Sequence, residues 1–147
     1  MKDKSATQPL RTFFDARANA FLAIARNRHD EAIAQLRIAF GERASPDNEE
    51  SFLMAMSHER AGRPDSAIVW LKRTLSTPSG GFGDGVFLPA AKRRLAELLD
   101  AKGDLRGAIR YYEAFLGDWT QPEPEQAEVV RAVKARVTVL RAKLAPG

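Results

Sequence analysis

Residues 90–119 read AAKRRLAELLDAKGDLRGAIRYYEAFLGDW, and this stretch decides the fold. It contains a helix-forming segment, a short polar turn at Gly103 and Asp104, and a second helix-forming segment that opens around the small residue Ala108. A glycine readily ends a helix in left-handed backbone, and an aspartate near the start of the next helix interacts favourably with its dipole. The stretch therefore predicts two antiparallel helices joined by a tight turn.

The same pattern occurs twice earlier in the chain, as FLAIARNRHDEAIAQL at residues 21–36 and as FLMAMSHERAGRPDSAIVWL at residues 52–71. Each copy centres on an Ala-Ile pair, and aligning Ala32, Ala67 and Ala108 gives spacings of 35 and 41 residues. Self-similarity at such a period is the signature of a repeat protein. We therefore predict an all-α chain of three helix-turn-helix repeats.

Small side chains occupy matched places in each repeat, and two helices approach closely only where both carry such residues. The expected register pairs Ala20 with Ala32, Ala55 with Ala67 and Ala96 with Ala108. The turns between the helices contain Gly62 and Gly103, with Asn27 as the corresponding residue of the first repeat. Asparagine is, after glycine, a common residue in left-handed backbone.

The longer spacing contains STPSGGFGDGV at residues 76–86, where Pro78 stops the preceding helix and the glycines permit positive φ. This segment predicts an inserted surface loop. Its apolar tips at Phe82 and Phe87 leave two roles open, a cover over the binding surface of the repeats or a contact with a partner.

The end of the chain predicts a seventh helix at residues 124–144, with Pro124 in its first turn. Its apolar residues form one stripe that would cover the exposed side of the last repeat. The stripe consists of Ala127, Val130, Val133, Val137, Leu140 and Leu144.

Composition limits the class of protein. The chain has 147 residues, a net charge of +4 with the two signs interspersed, and no cysteine, which excludes a disulfide framework and a thiolate site. No long apolar run and no signal-peptide pattern occur, so we expect a cytoplasmic protein with no membrane segment. We predict a polar disordered tail at residues 1–10 and one domain at residues 11–147. Its repeats are expected at about residues 13–42, 47–76 and 87–118.

The stretch quoted first resembles the tetratricopeptide repeat family. The residues on the consensus positions are Leu95, Ala96, Leu99, Gly103, Ala108, Tyr112 and Phe115. Residues 111–119, followed by QPEPE and a closing amphipathic helix, resemble the C-terminal repeat segments of some bacterial serine/threonine kinases and winged-helix transcriptional regulators. The first repeat lacks the Gly and Tyr of the consensus, His58 stands where an aromatic is usual, and no kinase or DNA-binding motif is present.

The resemblance implies a right-handed superhelix whose concave side, lined mainly by the first helix of each repeat, holds a peptide or a partner surface. We therefore expect a protein-interaction or scaffolding module in a larger bacterial protein. By register, the expected groove consists of Arg17, Phe21 and Ile24, then Phe52, Met56, Glu59 and Arg60, then Arg93, Glu97 and Asp100. The set lacks the Lys and Asn pairs that co-chaperone repeats use to hold a terminal carboxylate, so a chaperone tail is not the expected ligand.

No set of residues predicts catalysis, and we expect no enzyme, no cofactor and no metal. His29 and His58 belong to different repeats and are interpreted as structural. Asp47, Glu49 and Glu50 follow Pro46 at a helix start, where negative charge is favourable, and are interpreted as capping residues. The GGFGDG sequence at residues 80–85 lacks the Lys-Ser or Lys-Thr of a phosphate loop.

Two alternative functions stay open. Self-association would bury Phe13, Phe14 and neighbouring apolar residues of the first repeat against a second copy in a homodimer. Nucleic-acid binding would use the basic residues of the final helix, but their spread over several faces favours solvated side chains around an apolar stripe. These basic residues are Arg131, Lys134, Arg136, Arg141 and Lys143.

Overall fold

The computed structural model describes residues 8–41, 47–78 and 84–145, and within these ranges every regular element is an α-helix. The helices are α1 (Gln8–Ala25), α2 (His29–Phe40), α3 (Asn48–Arg60), α4 (Pro64–Ser76), α5 (Asp84–Ala101), α6 (Leu105–Asp118) and α7 (Pro124–Leu144). The all-α prediction of three helix pairs and a closing helix is confirmed.

The chain divides into two compact units, Met1–Thr77 and Pro78–Gly147. In the first unit, α1 packs on α2 and α3 packs on α4, while α2 also contacts α3. In the second unit, α5 and α6 form a third hairpin, and α7 packs on α6. The first unit thus contains two repeats, and the second contains one repeat and the closing helix.

The three hairpin turns share one backbone geometry. Asn27, Gly62 and Gly103 adopt positive φ values of 57°, 76° and 81°, as the turn residues predict. In each turn the next amide donates to a carbonyl five residues earlier, Arg28 to Ala23, Arg63 to His58 and Asp104 to Leu99, at 2.8 to 2.9 Å. This hydrogen bond satisfies a carbonyl at the end of the first helix that would otherwise have no partner.

The matched alanines lie in the core of each hairpin. Ala20 is 1% exposed, and the other five, Ala32, Ala55, Ala67, Ala96 and Ala108, are fully buried. Around them in the first unit lies an apolar cluster that contains Ile33, Leu36, Phe40 and Met54. The buried apolar residues of the second unit come from all three of its helices and include Leu95, Tyr112, Phe115, Val133 and Leu140.

Capping residues begin two of the helices as the sequence predicts. The Asp47 carboxylate accepts from the Glu50 amide at 2.8 Å, and the Glu50 carboxylate accepts from the Asp47 amide, which forms a complete capping box at the start of α3. Asp104 caps α6 by accepting from the Gly107 amide at 2.9 Å. These contacts support the interpretation of Asp47 and Glu50 as capping residues.

Two helix starts differ from the predicted boundaries. Residues 8–10, which the sequence analysis assigned to a tail, belong to α1, and residues 84–86, assigned to the loop, belong to α5. Pro89 lies within α5, so the helix continues through a residue that usually ends one. Residues 1–7 and 79–83, and with them the proposed tail and most of the glycine loop, lie outside the described residues.

The closing helix has the predicted bounds, and Val130, Val133, Val137 and Leu140 of its stripe are buried. Two apolar side chains depart from the predicted pattern. Leu144 at the end of the stripe is 40% exposed, and Val139, which lies outside the predicted stripe, is 46% exposed.

Replacing a crossing alanine should weaken the hairpin. We expect Ala108→Leu to lower the free energy of unfolding by about 1–3 kcal/mol, because the fully buried site has no room for three more carbon atoms. Chemical denaturation measures this loss. Ala114→Leu, on the exposed side of the same helix, is the matched control and should change stability by less than about 0.5 kcal/mol. Equal effects of the two substitutions would contradict the assigned crossing.

Candidate functional site

The ten residues expected to line a groove fall into both units. Seven of them, Arg17, Phe21, Ile24, Phe52, Met56, Glu59 and Arg60, belong to the first unit, and Arg93, Glu97 and Asp100 belong to the second. The two sets are therefore described separately.

In the first unit, Arg17 links α1 to the start of α3. Its guanidinium contacts the Glu49 carboxylate at 2.5 Å and lies 3.6 Å from that of Glu50, which is fully buried. The same guanidinium lies 5.8 Å from the ring centre of Phe21 and 6.0 Å from that of Phe13. Arg17 is therefore engaged with its own unit, where it supplies the positive charge beside a buried carboxylate.

The remaining groove residues of the first unit are at least partly accessible. Phe21 is 42% exposed, and Ile24 of the same helix is half-buried. On α3, the residues at positions 52, 56, 59 and 60 share one helical face. Three of them, Phe52, Met56 and Glu59, are half-buried, and Arg60 is exposed.

A row of exposed apolar side chains also runs along α1. Leu10, Phe14 and Leu22 are 60%, 58% and 51% exposed. Phe13, which the sequence analysis grouped with Phe14, is half-buried and stacks edge-on against Phe14, with 5.1 Å between the ring centres. Leu10 and Leu22 were not predicted as surface residues, although their spacing from Phe14 gives the signal.

The second unit contains a cleft of about 400 Å³ between its three helices. It is lined by Arg93, Glu97, Tyr112, Glu128, Val129, Ala132, Val133 and Arg136. On the α5 side, the Arg93 guanidinium donates to the Glu97 carboxylate at 3.0 Å, and Arg94 donates to the same carboxylate. Two of the three residues predicted from α5 therefore line one cleft.

The third, Asp100, joins α5 to the closing helix. Its carboxylate accepts two hydrogen bonds from the Arg136 guanidinium, at 2.6 and 2.7 Å, and one from the Tyr112 hydroxyl at 3.4 Å. The hydrogen bonds from Arg136 hold the pKa of Asp100 below its usual value. Burial, with the Asp100 carboxylate nearby, raises the pKa of Tyr112 to about 12. Asp100 thus stays ionised and holds Arg136 at the cleft.

The α7 side of the cleft was not part of the predicted groove. Glu128, Val129, Ala132 and Arg136 come from the closing helix, which the sequence analysis interpreted only as a cover for the last repeat. Arg136 is one of the five basic residues of this helix that were considered for nucleic-acid binding. In the structure Arg136 pairs with Asp100, and Arg141 pairs with Glu113, so two of those five basic residues are engaged within the unit.

The two histidines of the first unit lie in different surroundings. His58 is buried in the first unit, where burial and the positive charges of Arg63 and Arg37 lower its pKa, while Asp30 acts in the opposite direction. His29 is half-buried beside a second cleft of about 400 Å³ at the turns of the same unit. Within residues 8–41, 47–78 and 84–145, no group of three or more potential ligands could hold a metal ion.

That second cleft is lined by Asn27, Arg28, His29, Asp30, Glu31 and Ala61. It contains none of the predicted groove residues. The charged residues at its rim already form ion pairs, because Arg28 contacts Glu31 at 3.4 Å and Asp30 contacts Arg63 at 2.5 Å.

Across the described part of the chain, no helix has the length and apolar character needed to span a membrane.

The hairpins, their buried alanines and their left-handed turn residues define a tetratricopeptide-like helical fold. Among solved structures, the chain is similar to the Yersinia enterocolitica type III secretion chaperone SycD in complex with a peptide of the translocator YopD. The TM-score is 0.70 at 16% sequence identity, over 92% of this chain and 96% of that chain. A second structure of SycD gives the same score and identity over 90% and 86%. No family model matches the sequence, and no curated protein matches it significantly.

The buried His58 predicts a dependence of stability on pH. Its lowered pKa means that the unfolded chain binds a proton which the folded chain resists, so stability is complete above the unfolded pKa of about 6.5 and falls below it. We expect the free energy of unfolding to decrease between about pH 7.5 and about pH 5.5. His58→Gln should flatten this profile.

Urea denaturation across this pH range measures the effect. His29→Gln is the matched control, because it removes a histidine outside the buried site and should leave the decrease in place. A wild-type profile that stays level, or a His58→Gln profile that falls as steeply as the wild type, would contradict the assignment.

Proposed function

We propose that the chain is a non-catalytic protein-interaction module that binds a peptide or a partner surface through the accessible faces of its first helices and its closing helix. The observation that carries the proposal is the cleft of the second unit, where charged side chains from α5 and α7 surround an apolar floor. Such a combination suits a peptide, since apolar contacts supply affinity and a few polar groups fix orientation.

The first unit supports the proposal with accessible residues of the types that concentrate binding energy. Phe21 is 42% exposed, and Phe52 and Met56 are half-buried on one face of α3. Aromatic residues, methionine and arginine are enriched at interfaces, where a few of them account for most of the affinity. We propose that these residues contact a partner, together with Ile24, Glu59 and Arg60 of the same unit.

The fold comparison supports the same class of function. The similar structure of SycD is a complex of a chaperone with a translocator peptide, so a chain of this fold accommodates a peptide ligand. The finer resemblance to repeat segments of bacterial kinases and winged-helix regulators remains a prediction about the surrounding gene. Reading the coding sequence on both sides of this chain tests it.

Site-specific photocrosslinking in the native cells tests the proposed function. We expect p-benzoylphenylalanine in place of Phe21, or in place of Val129, to yield a discrete crosslinked protein, because both positions lie on accessible faces of the proposed binding surface. The matched control is the same substitution at Val69, which is 64% exposed on α4. Mass spectrometry identifies the product. A blank result at Phe21 and Val129, or the same product at Val69, would reject the proposal.

A second copy of the chain is the alternative partner, and the exposed apolar row on α1 favours it. Leu10, Phe14 and Leu22 are each at least half exposed, which is unusual for large apolar side chains that follow one another along a helix. Under this alternative, sedimentation equilibrium gives a dimer mass, and Phe14→Asp converts the dimer to a monomer. Val69→Asp serves as the control and leaves the dimer intact. A wild-type chain that stays monomeric at millimolar concentration excludes the homodimer.

A further inference from the structure

The cleft of the second unit has an apolar floor of small and branched side chains. Val133 is 6% exposed, Val129 is half-buried, and Ala132 between them is exposed. These three residues occupy adjacent turns on one side of α7. A ligand side chain that covers them gains by removing apolar surface from water, and aliphatic groups complement such a surface.

The arginines at this cleft already have carboxylate partners, although Arg93 shares Glu97 with Arg94. Arg136 is held by both carboxylate oxygens of Asp100, and Arg93 donates to Glu97. Bidentate pairs of arginine with a carboxylate are among the stronger polar contacts in proteins. An acidic ligand at either arginine would bring a second carboxylate close to Asp100 or Glu97, and the two like charges would repel each other.

Glu128 is the charge at the cleft that the protein leaves unbalanced. It lines the cleft, is exposed, and has no ion-pair partner in the part of the chain that the structure describes. Glu125 lies three positions earlier, on the same side of α7, and is also exposed. Arg131 follows three positions later but does not line the cleft. The α7 edge of the cleft at Glu128 therefore carries a carboxylate without an ion-pair partner among the described residues, next to the apolar floor.

We propose that this cleft selects a peptide segment in which an aliphatic side chain is accompanied by a lysine or arginine. The aliphatic group lies on Val129, Ala132 and Val133, and the cation pairs with Glu128. A purely apolar segment would strip water from Glu128 without replacing it, and an acidic segment would be repelled. This inference rests on the proposed function and adds the chemistry of the ligand.

A positional-scanning array of synthetic hexapeptides tests the proposal with the full chain. We expect the wild-type protein to favour peptides that contain Leu, Ile or Val together with Lys or Arg. For the best hexapeptide, fluorescence anisotropy should show that Glu128→Gln weakens binding by roughly two- to fivefold, the effect of an exposed ion pair. Glu128→Lys should shift the preference of the array from basic to acidic residues.

Glu31→Gln is the matched control, because it removes an exposed carboxylate at the turns of the first unit and should leave the preference unchanged. A wild-type preference for acidic residues, or a basic preference that persists in Glu128→Lys, overturns the inference. Circular dichroism verifies that each variant is folded. If no hexapeptide binds while the crosslinking experiment captures a partner, this inference fails and the proposed function stands. If the hexapeptide array shows no binding and the crosslinking experiment captures no partner, the inference and the proposed function are both rejected.

Discussion

The architecture depends on the close approach of two helix backbones within each hairpin. Six alanines occupy the positions that the repeat register pairs across each hairpin, and none is more than 1% exposed. Because the distance between packed helices is set by the side chains at their contact, residues of this size bring the helices close enough for a turn of a few residues to join them. The left-handed residues Asn27, Gly62 and Gly103 then reverse the chain while the backbone remains hydrogen-bonded.

These requirements are local in the sequence, which explains why the fold could be predicted. An alanine and a turn residue recur at fixed offsets, so aligning Ala32, Ala67 and Ala108 located all three hairpins. The helix starts at Gln8 and Asp84 were missed because they leave little local signal. In the first turn of α1, Leu10 is the one large apolar residue, and Pro89 suggests a helix start rather than an interior position.

The lining of the second-unit cleft was predicted only in part, because half of it comes from contacts between residues distant in sequence. The consensus assigns the groove to first helices, and Arg93 and Glu97 from that set line the cleft of the second unit. No spacing rule reveals that Arg136 reaches Asp100 from 36 residues away, or that Tyr112 joins them. The apolar stripe of α7 accounted for the packing of this helix. The neighbouring face, with Glu128 and Val129, was therefore not predicted to line a cleft.

The residues that form the fold and those proposed to contact a ligand are largely separate sets, and this separation limits what a likeness of fold can reveal. At 16% identity to SycD, the fold is retained while most side chains differ. In the second unit, Asp100 forms an ion pair with Arg136, and Glu97 forms one with Arg93. These four residues therefore stabilise the walls of the cleft. Under the proposed function, selection of a ligand depends on side chains that make no ion pair or hydrogen bond within the unit. The chemistry of the exposed rim and floor of the cleft then bears on the partner more directly than the helical framework beneath them.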